Sequence, residues 1–273
     1  MKILILGANG MLARALINEL SDEDLFLGDL PDFDLLKFDD LEEKITAIKP
    51  EVIINAAAYT NVDGCETDQN TCLAVNGEAV GNLAKISKKL GIILVHFSTD
   101  YVFDGKNAEG YKEDNVIAPL NMYGKSKALG EKLLAENCEQ FYLIRTAWLY
   151  GLNGKNFVDT IINLASKQPV IKVVNDQIGN PTYDKDLAKA VHQLIVEKKP
   201  FGVYHRTNDG KCSWYDFALK IKELKNLSAE IEAISTQEMP RPAVRPASSI
   251  LINTKLPALR SWQEALTEYL NLQ

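Results

Sequence analysis

The sequence has no basic excess, no cysteine framework and no long apolar run, and each absence removes a class of function. Lys and Arg total 30 against 37 Asp and Glu, for a formal net charge of −7. The basic face of a dedicated nucleic-acid binder is therefore missing, although room remains for a locally positive pocket that takes a phosphorylated ligand. The four cysteines, Cys65, Cys72, Cys138 and Cys212, form no C-x-x-C pair. Neither a zinc site nor a disulfide framework is indicated, and reduced thiols in a cytoplasmic protein are the simplest account. The N-terminus has one Lys and a short apolar run, not the longer apolar region and small-residue cleavage site of a signal peptide. No stretch reaches the roughly 18 apolar residues of a membrane span, so the expected protein is soluble, with neither a membrane nor a nucleic acid as partner.

What is present is enough apolar material for a large core. At 273 residues and 46% hydrophobic content, the chain suits one large domain or two lobes sharing a boundary. Ile3-Leu4-Ile5-Leu6 reads as a strand buried on both faces, as in a parallel sheet. Gly7 to Gly10 follow, and then a helix with Leu12, Ala15, Leu16 and Leu20 on one face. Strands are expected at 25–27, 52–54, 92–97 and 141–145, separated by helical segments, one of them running from about Asn70 to Leu90 and stopping at Gly91. This alternation predicts an α/β fold, a doubly wound parallel sheet of Rossmann type with ligands at the carboxyl ends of its strands. Beyond Tyr150 the alternation loosens, with helices expected at 156–167, 184–198 and 214–225, a strand at 203–205, and an extended loop around Pro240, Pro242 and Pro246. The expected division is a dinucleotide-binding domain over 1–150 and a smaller C-terminal substrate lobe over 151–273, with segments of the latter returning to the main sheet.

Gly7-x-x-Gly10-x-x-Ala13 lies between the first strand and the first helix. Glycines there let the backbone turn tightly and approach a pyrophosphate, whose charge favours the helix N-terminus. An acidic residue about 20 positions further on would bind the adenosine ribose; Asp29 stands there, with Asp34 as a second candidate. No Arg accompanies Asp29 to take a 2′-phosphate, although Arg14 could do so from the first helix.

Tyr123 and Lys127 are four apart on a segment that reads as a helix, so phenol and ammonium project from one face. A carbonyl accepting hydride develops negative charge on oxygen and needs a nearby proton donor. A tyrosine, with an ordinary pKa of about 10, serves if an adjacent cation stabilises its phenolate. Thr99 or Ser98, at the end of a neighbouring strand, would hydrogen-bond the carbonyl oxygen and orient it.

These residues resemble the extended short-chain dehydrogenase/reductase superfamily and, within it, the dTDP-4-dehydrorhamnose reductase family. The similarity runs over nearly the whole chain, through EVIINAAAYTNVDGCE, VHFSTDYVFDG, PLNMYGKSKALGE, LIRTAWLYG, NDQIGNPT, SWYDFA and RPASSILINTKL. The resemblance implies reduction of the 4-keto group of dTDP-4-dehydro-L-rhamnose, with NADPH as cofactor and NADH as a second candidate. It assigns Thr99, Tyr123 and Lys127 to catalysis. To the cofactor it assigns the loop residues Gly7, Asn9, Gly10, Met11 and Leu12, and the strand-end residues Ala56, Ala57, Ala58 and Thr60, beside Asp29 and Ser98. Thr99, Asp100, Tyr101 and Trp148 would face the sugar. Trp214 and Tyr215 are open between the nucleotide base and core packing, and Arg245 between a phosphate anchor and an ion pair that pins its loop. Ala13 departs from the more usual glycine, and the short segment 24–40 blurs the ribose site. No metal is expected, since no acidic set matches the Mg²⁺ described between subunits in some members; a homodimer is the assembly considered. The alternatives are another nucleotide-sugar reductase or epimerase, and a non-catalytic regulatory subunit of the methionine adenosyltransferase type.

Overall fold

The apolar run Ile3–Leu6 is buried on both faces because it forms β1 (Lys2–Leu6), an interior strand of a six-stranded sheet. The computed structural model describes residues 1–272. After β1 come α1 (Met11–Glu19), β2 (Asp24–Gly28), α2 (Phe38–Ile48) and β3 (Val52–Asn55). The short helices α3 (Gly64–Thr67) and α4 (Gln69–Leu73) lead into α5 (Ala79–Leu90) and β4 (Ile93–Thr99). Then follow α6 (Met122–Asn137), β5 (Phe141–Thr146), β6 (Leu149–Tyr150), α7 (Phe157–Ala165), β7 (Val170–Val174), β8 (Ile178–Gly179) and β9 (Thr182–Tyr183). The chain closes with α8 (Asp184–Val196), β10 (Gly202–His205), β11 (Cys212–Ser213), α9 (Trp214–Lys225), β12 (Glu230–Ile234) and α10 (Trp262–Asn271).

The main sheet runs β2-β1-β3-β4-β5-β10, and every pairing in it is parallel. The chain winds outward from β1 to β2, then crosses back to β3 and continues the other way. The crevice outside the ends of β1 and β3 is thus the topological switch point, where such sheets bind ligands. One face of the sheet is covered by α1 and α8 around Ile3, Ile5, Leu16, Leu187 and Val191. The other is covered by α2, α5 and α6 around Leu4, Leu6, Ile45, Leu83 and Leu134. The doubly wound sheet expected from the alternation is the fold observed.

The later part of the chain contributes both to this sheet and to a separate core. β10 pairs with β5 at the sheet edge, while β7 and β12 form a parallel pair of their own, flanked by α7 and α9. That second core is aromatic, with Tyr150, Tyr183, Phe217, Trp262 and Tyr269 packed together. Its helices begin at side-chain caps: Asn156 for α7, and capping boxes at Ser213 for α9 and Ser261 for α10. Each satisfies backbone N–H groups that the first turn leaves without partners.

One expectation is refined and one corrected. The helix expected from about 70 to 90 runs from Gln69 to Leu90 and stops at Gly91, but holds a π-helical turn at Ala74–Glu78 between α4 and α5. Buried Asn76 lies in the widened turn and bonds Tyr59, accepting from its N–H at 2.8 Å and donating to its carbonyl at 3.0 Å; helical periodicity does not register such a local insertion. The four cysteines are not all reduced: Cys65 and Cys72 form a disulfide across a separation of 7 residues, with Cα atoms 5.5 Å apart. The break between α3 and α4 at Asp68 folds the two cysteines together, and no spacing rule reveals that. Cys138 and Cys212 are free and buried. Thiol titration of the denatured protein should count two groups without reductant and four after reduction; four without reductant would contradict the bridge.

Candidate active site

A cleft of roughly 1000 Å³ opens at the carboxyl ends of β1, β3, β4 and β5, at the upper end of the range for small-molecule sites. Its floor is the glycine turn. Gly7 has φ 75°, and a Cβ there would stand 2.7 Å from the Ala57 nitrogen, so only glycine lets β1 turn against the end of β3. Gly10, Met11 and Leu12 line the cleft where α1 begins, and Ala56, Ala57, Ala58 and Thr60 form the facing wall. No charged side chain caps the start of α1, so its N–H groups are left for an anion. This is a cradle that a dinucleotide's pyrophosphate fits.

Asp29 lies at the cleft's outer end beside Leu30, Phe33, Asp34 and Leu36. Its carboxylate accepts from the backbone N–H of Asn9 at 2.7 Å and from that of Leu30 at 2.8 Å, tying the end of β2 to the glycine loop. Asn9 is thus joined to the wall through Asp29 rather than forming part of it. Arg14 donates through Nε to the Asn9 carbonyl at 3.2 Å.

The inner end holds Ser98, Thr99, Asp100, Tyr123, Lys127 and Trp148. Tyr123 and Lys127 come from α6, whose first turn is capped by Asn121 accepting from the Gly124 N–H. Gly124 lets that turn sit against the chain after β4, since a Cβ there would be 2.2 Å from the Tyr101 carbonyl oxygen. The approach brings Tyr123 to the same end of the cleft as Thr99. Burial, reinforced by the charge of Asp100, pushes the Tyr123 phenol up to about 12. Burial pushes the Lys127 amine down to about 8, against the opposing charge of Glu131. Asp100 is raised to about 6 by burial, opposed by hydrogen bonds from Ser249 and Thr99.

The two candidate strand-end hydroxyls part company. Ser98 Oγ donates to Glu131 at 2.5 Å, beneath the helix, whereas Thr99 Oγ1 donates to Asp100 at 2.8 Å on the Tyr123 side. Tyr101 packs its ring edge-on to Tyr123 with centroids 5.9 Å apart, behind the cleft wall. Trp148, with φ 47°, stacks on Trp214 at 3.6 Å between centroids, and Trp214 in turn leans on Phe157. Arg245 forms an ion pair with Asp63, both guanidinium nitrogens reaching the carboxylate, so the loop-pinning role is the one observed.

Sequence reasoning missed the polar row beneath α6. Asn55 of β3 stands opposite His96 of β4, and Ser98 of β4 opposite Arg145 of β5. His205 of β10 stands opposite Arg145 in turn. Arg145 is held in a buried pair with Glu131, its Nε and Nη2 at 3.0 and 2.7 Å from the two carboxylate oxygens. Removing one member of such a pair leaves an uncompensated buried charge. The signal available was a His and an Arg inside otherwise apolar strands.

Rossmann-type oxidoreductases of the short-chain dehydrogenase/reductase kind are built in this way, and the sheet, the glycine cradle and the Tyr–Lys pair put the chain in that class. The family model described as the RmlD substrate binding domain matches residues 1–273, and the chain belongs to that family. The dTDP-4-dehydrorhamnose reductase of Aggregatibacter actinomycetemcomitans is 39% identical over 285 residues, covering 97% of this chain and 97% of the relative. The crystal structure of a dTDP-4-dehydrorhamnose reductase from Clostridium acetobutylicum superposes with a TM-score of 0.97 at 40% identity, covering 100% of this chain and 99% of the other. That of the dTDP-4-dehydrorhamnose reductase from Bacillus anthracis in complex with NADP also gives 0.97, at 37% identity and full coverage of both chains.

Proposed function

We propose that this chain reduces the 4-keto group of dTDP-4-dehydro-L-rhamnose to give dTDP-L-rhamnose, with NADPH as cofactor. The observation that carries the reading is the meeting of Thr99, Tyr123 and Lys127 at the inner end of a cleft whose outer end is the glycine cradle, in a chain that matches the family over its full length. The cofactor, seated along Gly7, Gly10, Met11 and Leu12 and the wall Ala56–Thr60, supplies hydride to the sugar carbonyl carbon.

The Tyr123 Oη proton passes to the carbonyl oxygen as negative charge develops there. A buried phenol held near 12 stays protonated at neutral pH and is a weak acid by itself. Lys127, one helical turn away, offers the cationic charge that stabilises the phenolate as the proton leaves. Thr99 Oγ1 orients the carbonyl oxygen beside the phenol. Asp100, buried next to Thr99, faces the sugar. Asp29 takes the adenosine ribose, and Arg14, already beside Asn9, is the side chain available to a 2′-phosphate.

Residues 1–150 form the dinucleotide domain in this reading and 151–273 the substrate lobe, with α8 and β10 serving the main sheet. A homodimer and a cytoplasmic location complete the proposal; among the described residues, no helix is long and apolar enough to cross a membrane.

Trp148 is assigned to the sugar: it lines the inner end of the cleft, and the stack on Trp214 fixes its plane. Trp148→Ala should raise KM for the keto-sugar more than KM for NADPH. Equal rises in both, or a fall in Tm alone, would make Trp148 a packing residue. The function itself is tested by following NADPH oxidation with a panel of nucleotide keto-sugars. Preference for the dTDP-4-keto-6-deoxy sugar supports it, and NADPH binding without turnover of any of them would favour a regulatory protein.

A further inference from the structure

Lys127 does not hang free in the cleft. Its Nζ donates to the Phe97 carbonyl at 2.6 Å and lies 3.3 Å from His96 Nε2. The other ring nitrogen, Nδ1, lies 3.2 Å from Asn55 Nδ2. Asn55 Oδ1 in turn accepts the backbone N–H of Ala57 at 3.2 Å. Both side chains of this row are about 99% buried, so each polar atom must find its partner within it.

The row has a direction. The Ala57 N–H can only donate, so the oxygen of Asn55 must face it and the NH₂ must face His96. An NH₂ can only donate, so His96 Nδ1 carries the lone pair and the ring proton sits on Nε2. A second ring proton is disfavoured, because burial and the charge of Lys127 hold His96 well below the ordinary histidine range. Nε2–H therefore points at Lys127 Nζ. An ammonium has no lone pair to receive it, whereas an amine does and still donates to Phe97. Adding a proton to Lys127 breaks a link of the row. Either the Nε2–H loses its acceptor, or the tautomer changes, Asn55 turns over and the Ala57 N–H is released at the cleft wall.

We propose that Asn55 and His96 are positioning residues that present a fixed N–H to Lys127 and weaken its hold on a proton in the cofactor-free protein, so that at alkaline pH NADPH binding brings a proton onto Lys127. The inference rests on the reading that places the cofactor beside Lys127. The anionic phosphates of NADPH enter the same cleft and raise the proton affinity of an amine near them. The other titratable groups around Lys127 are Tyr123 and Glu131 on its own helix, His96 and Asp100 on β4 and the turn after it, and Arg145 on β5 beyond Glu131. Glu131, paired with Arg145, opposes the burial that lowers Lys127, and of these groups His96 stands within hydrogen-bond distance of Nζ, at 3.3 Å. The amine's proton affinity in the free protein, near 8, is lower than in the complex. NADPH affinity is therefore full below that pH and falls as pH rises through it, by up to about tenfold per unit.

The test is calorimetry of NADPH binding at pH 8.5 in two buffers of different ionisation heat, which counts protons taken up. Wild type should take up a large fraction of one proton, and Lys127→Met should take up none while binding NADPH more weakly. Asn55→Asp keeps an acceptor for Ala57 but now accepts from Nδ1–H, turning the Nε2 lone pair toward Lys127. It should cut the uptake at pH 8.5 to about a quarter of a proton and move the alkaline loss of affinity upward by about one pH unit, a roughly tenfold gain in NADPH affinity above the break. His96→Phe removes the donor, should also cut the uptake, and stands in if the Asp variant does not fold. Absence of uptake in wild type, with Lys127→Met still weakening NADPH, would overturn this inference alone. Uptake unchanged in a folded Asn55→Asp or His96→Phe protein would also overturn it. NADPH affinity unchanged by Lys127→Met would overturn both the inference and the cofactor placement beneath it.

Discussion

Tyr123→Phe lowers kcat by about 10²–10⁴-fold and leaves the NADPH dissociation constant close to wild type. The ring keeps its edge-on contact with Tyr101 and its place on α6, so the packing that aims the helix is preserved. What disappears is the Oη that holds the proton for the carbonyl oxygen. No other group at the inner end substitutes for it. Thr99 is bonded to Asp100, Ser98 is turned down onto Glu131, and Lys127 is drawn toward β4. The check is steady-state kcat beside a fluorescence titration of NADPH. Near-normal turnover in the Phe variant would remove Tyr123 from the mechanism.

Gly7→Val should remove measurable dinucleotide binding, and Gly10→Val should weaken it less. At Gly7 the backbone is in the left-handed region with φ 75°, and a Cβ would meet the Ala57 nitrogen at 2.7 Å and its Cα at 2.8 Å. These are backbone atoms of the facing cleft wall, so relief requires β1 and β3 to part where the pyrophosphate is cradled. A branched residue at positive φ adds strain of about 1–3 kcal/mol. At Gly10 the nearest atom to an added Cβ is the Gly7 carbonyl oxygen at 3.1 Å, and φ is −70°, so strain is small and the loss comes from crowding the ligand. Fluorescence titration of NADPH, with Tm measured alongside, separates the two; Gly7→Ala serves if the Val variant does not fold. A folded Gly7 variant with wild-type NADPH affinity would make the loop a turn and nothing more.

The parallel sheet was legible because buried strands announce themselves as short apolar runs, as in Ile3–Leu6 before the Gly7 turn and Val52–Ile54. Tyr123, Lys127 and Thr99 were legible because helical and strand-end spacing bring them to one place. The helices Trp214–Lys225 and Asp184–Val196 were visible from their periodicity. What was not legible depends on partners distant in sequence. The Cys65–Cys72 bridge needs the break at Asp68, and the Arg245–Asp63 pair spans 182 residues. The pair Asn55–His96 and the row Ser98–Arg145–His205 exist only once β3, β4, β5 and β10 lie side by side in register. The two-residue strands of the second lobe, such as β8 and β9, are too short for any period to register.

The most direct measurement is the reaction itself: purified protein, NADPH and dTDP-4-dehydro-L-rhamnose, with absorbance followed as the cofactor is oxidised and the sugar product identified by NMR. Stoichiometric NADPH loss with formation of dTDP-L-rhamnose, abolished in Tyr123→Phe, is the predicted result. Tight NADPH binding with no sugar turnover in the wild-type protein would contradict it.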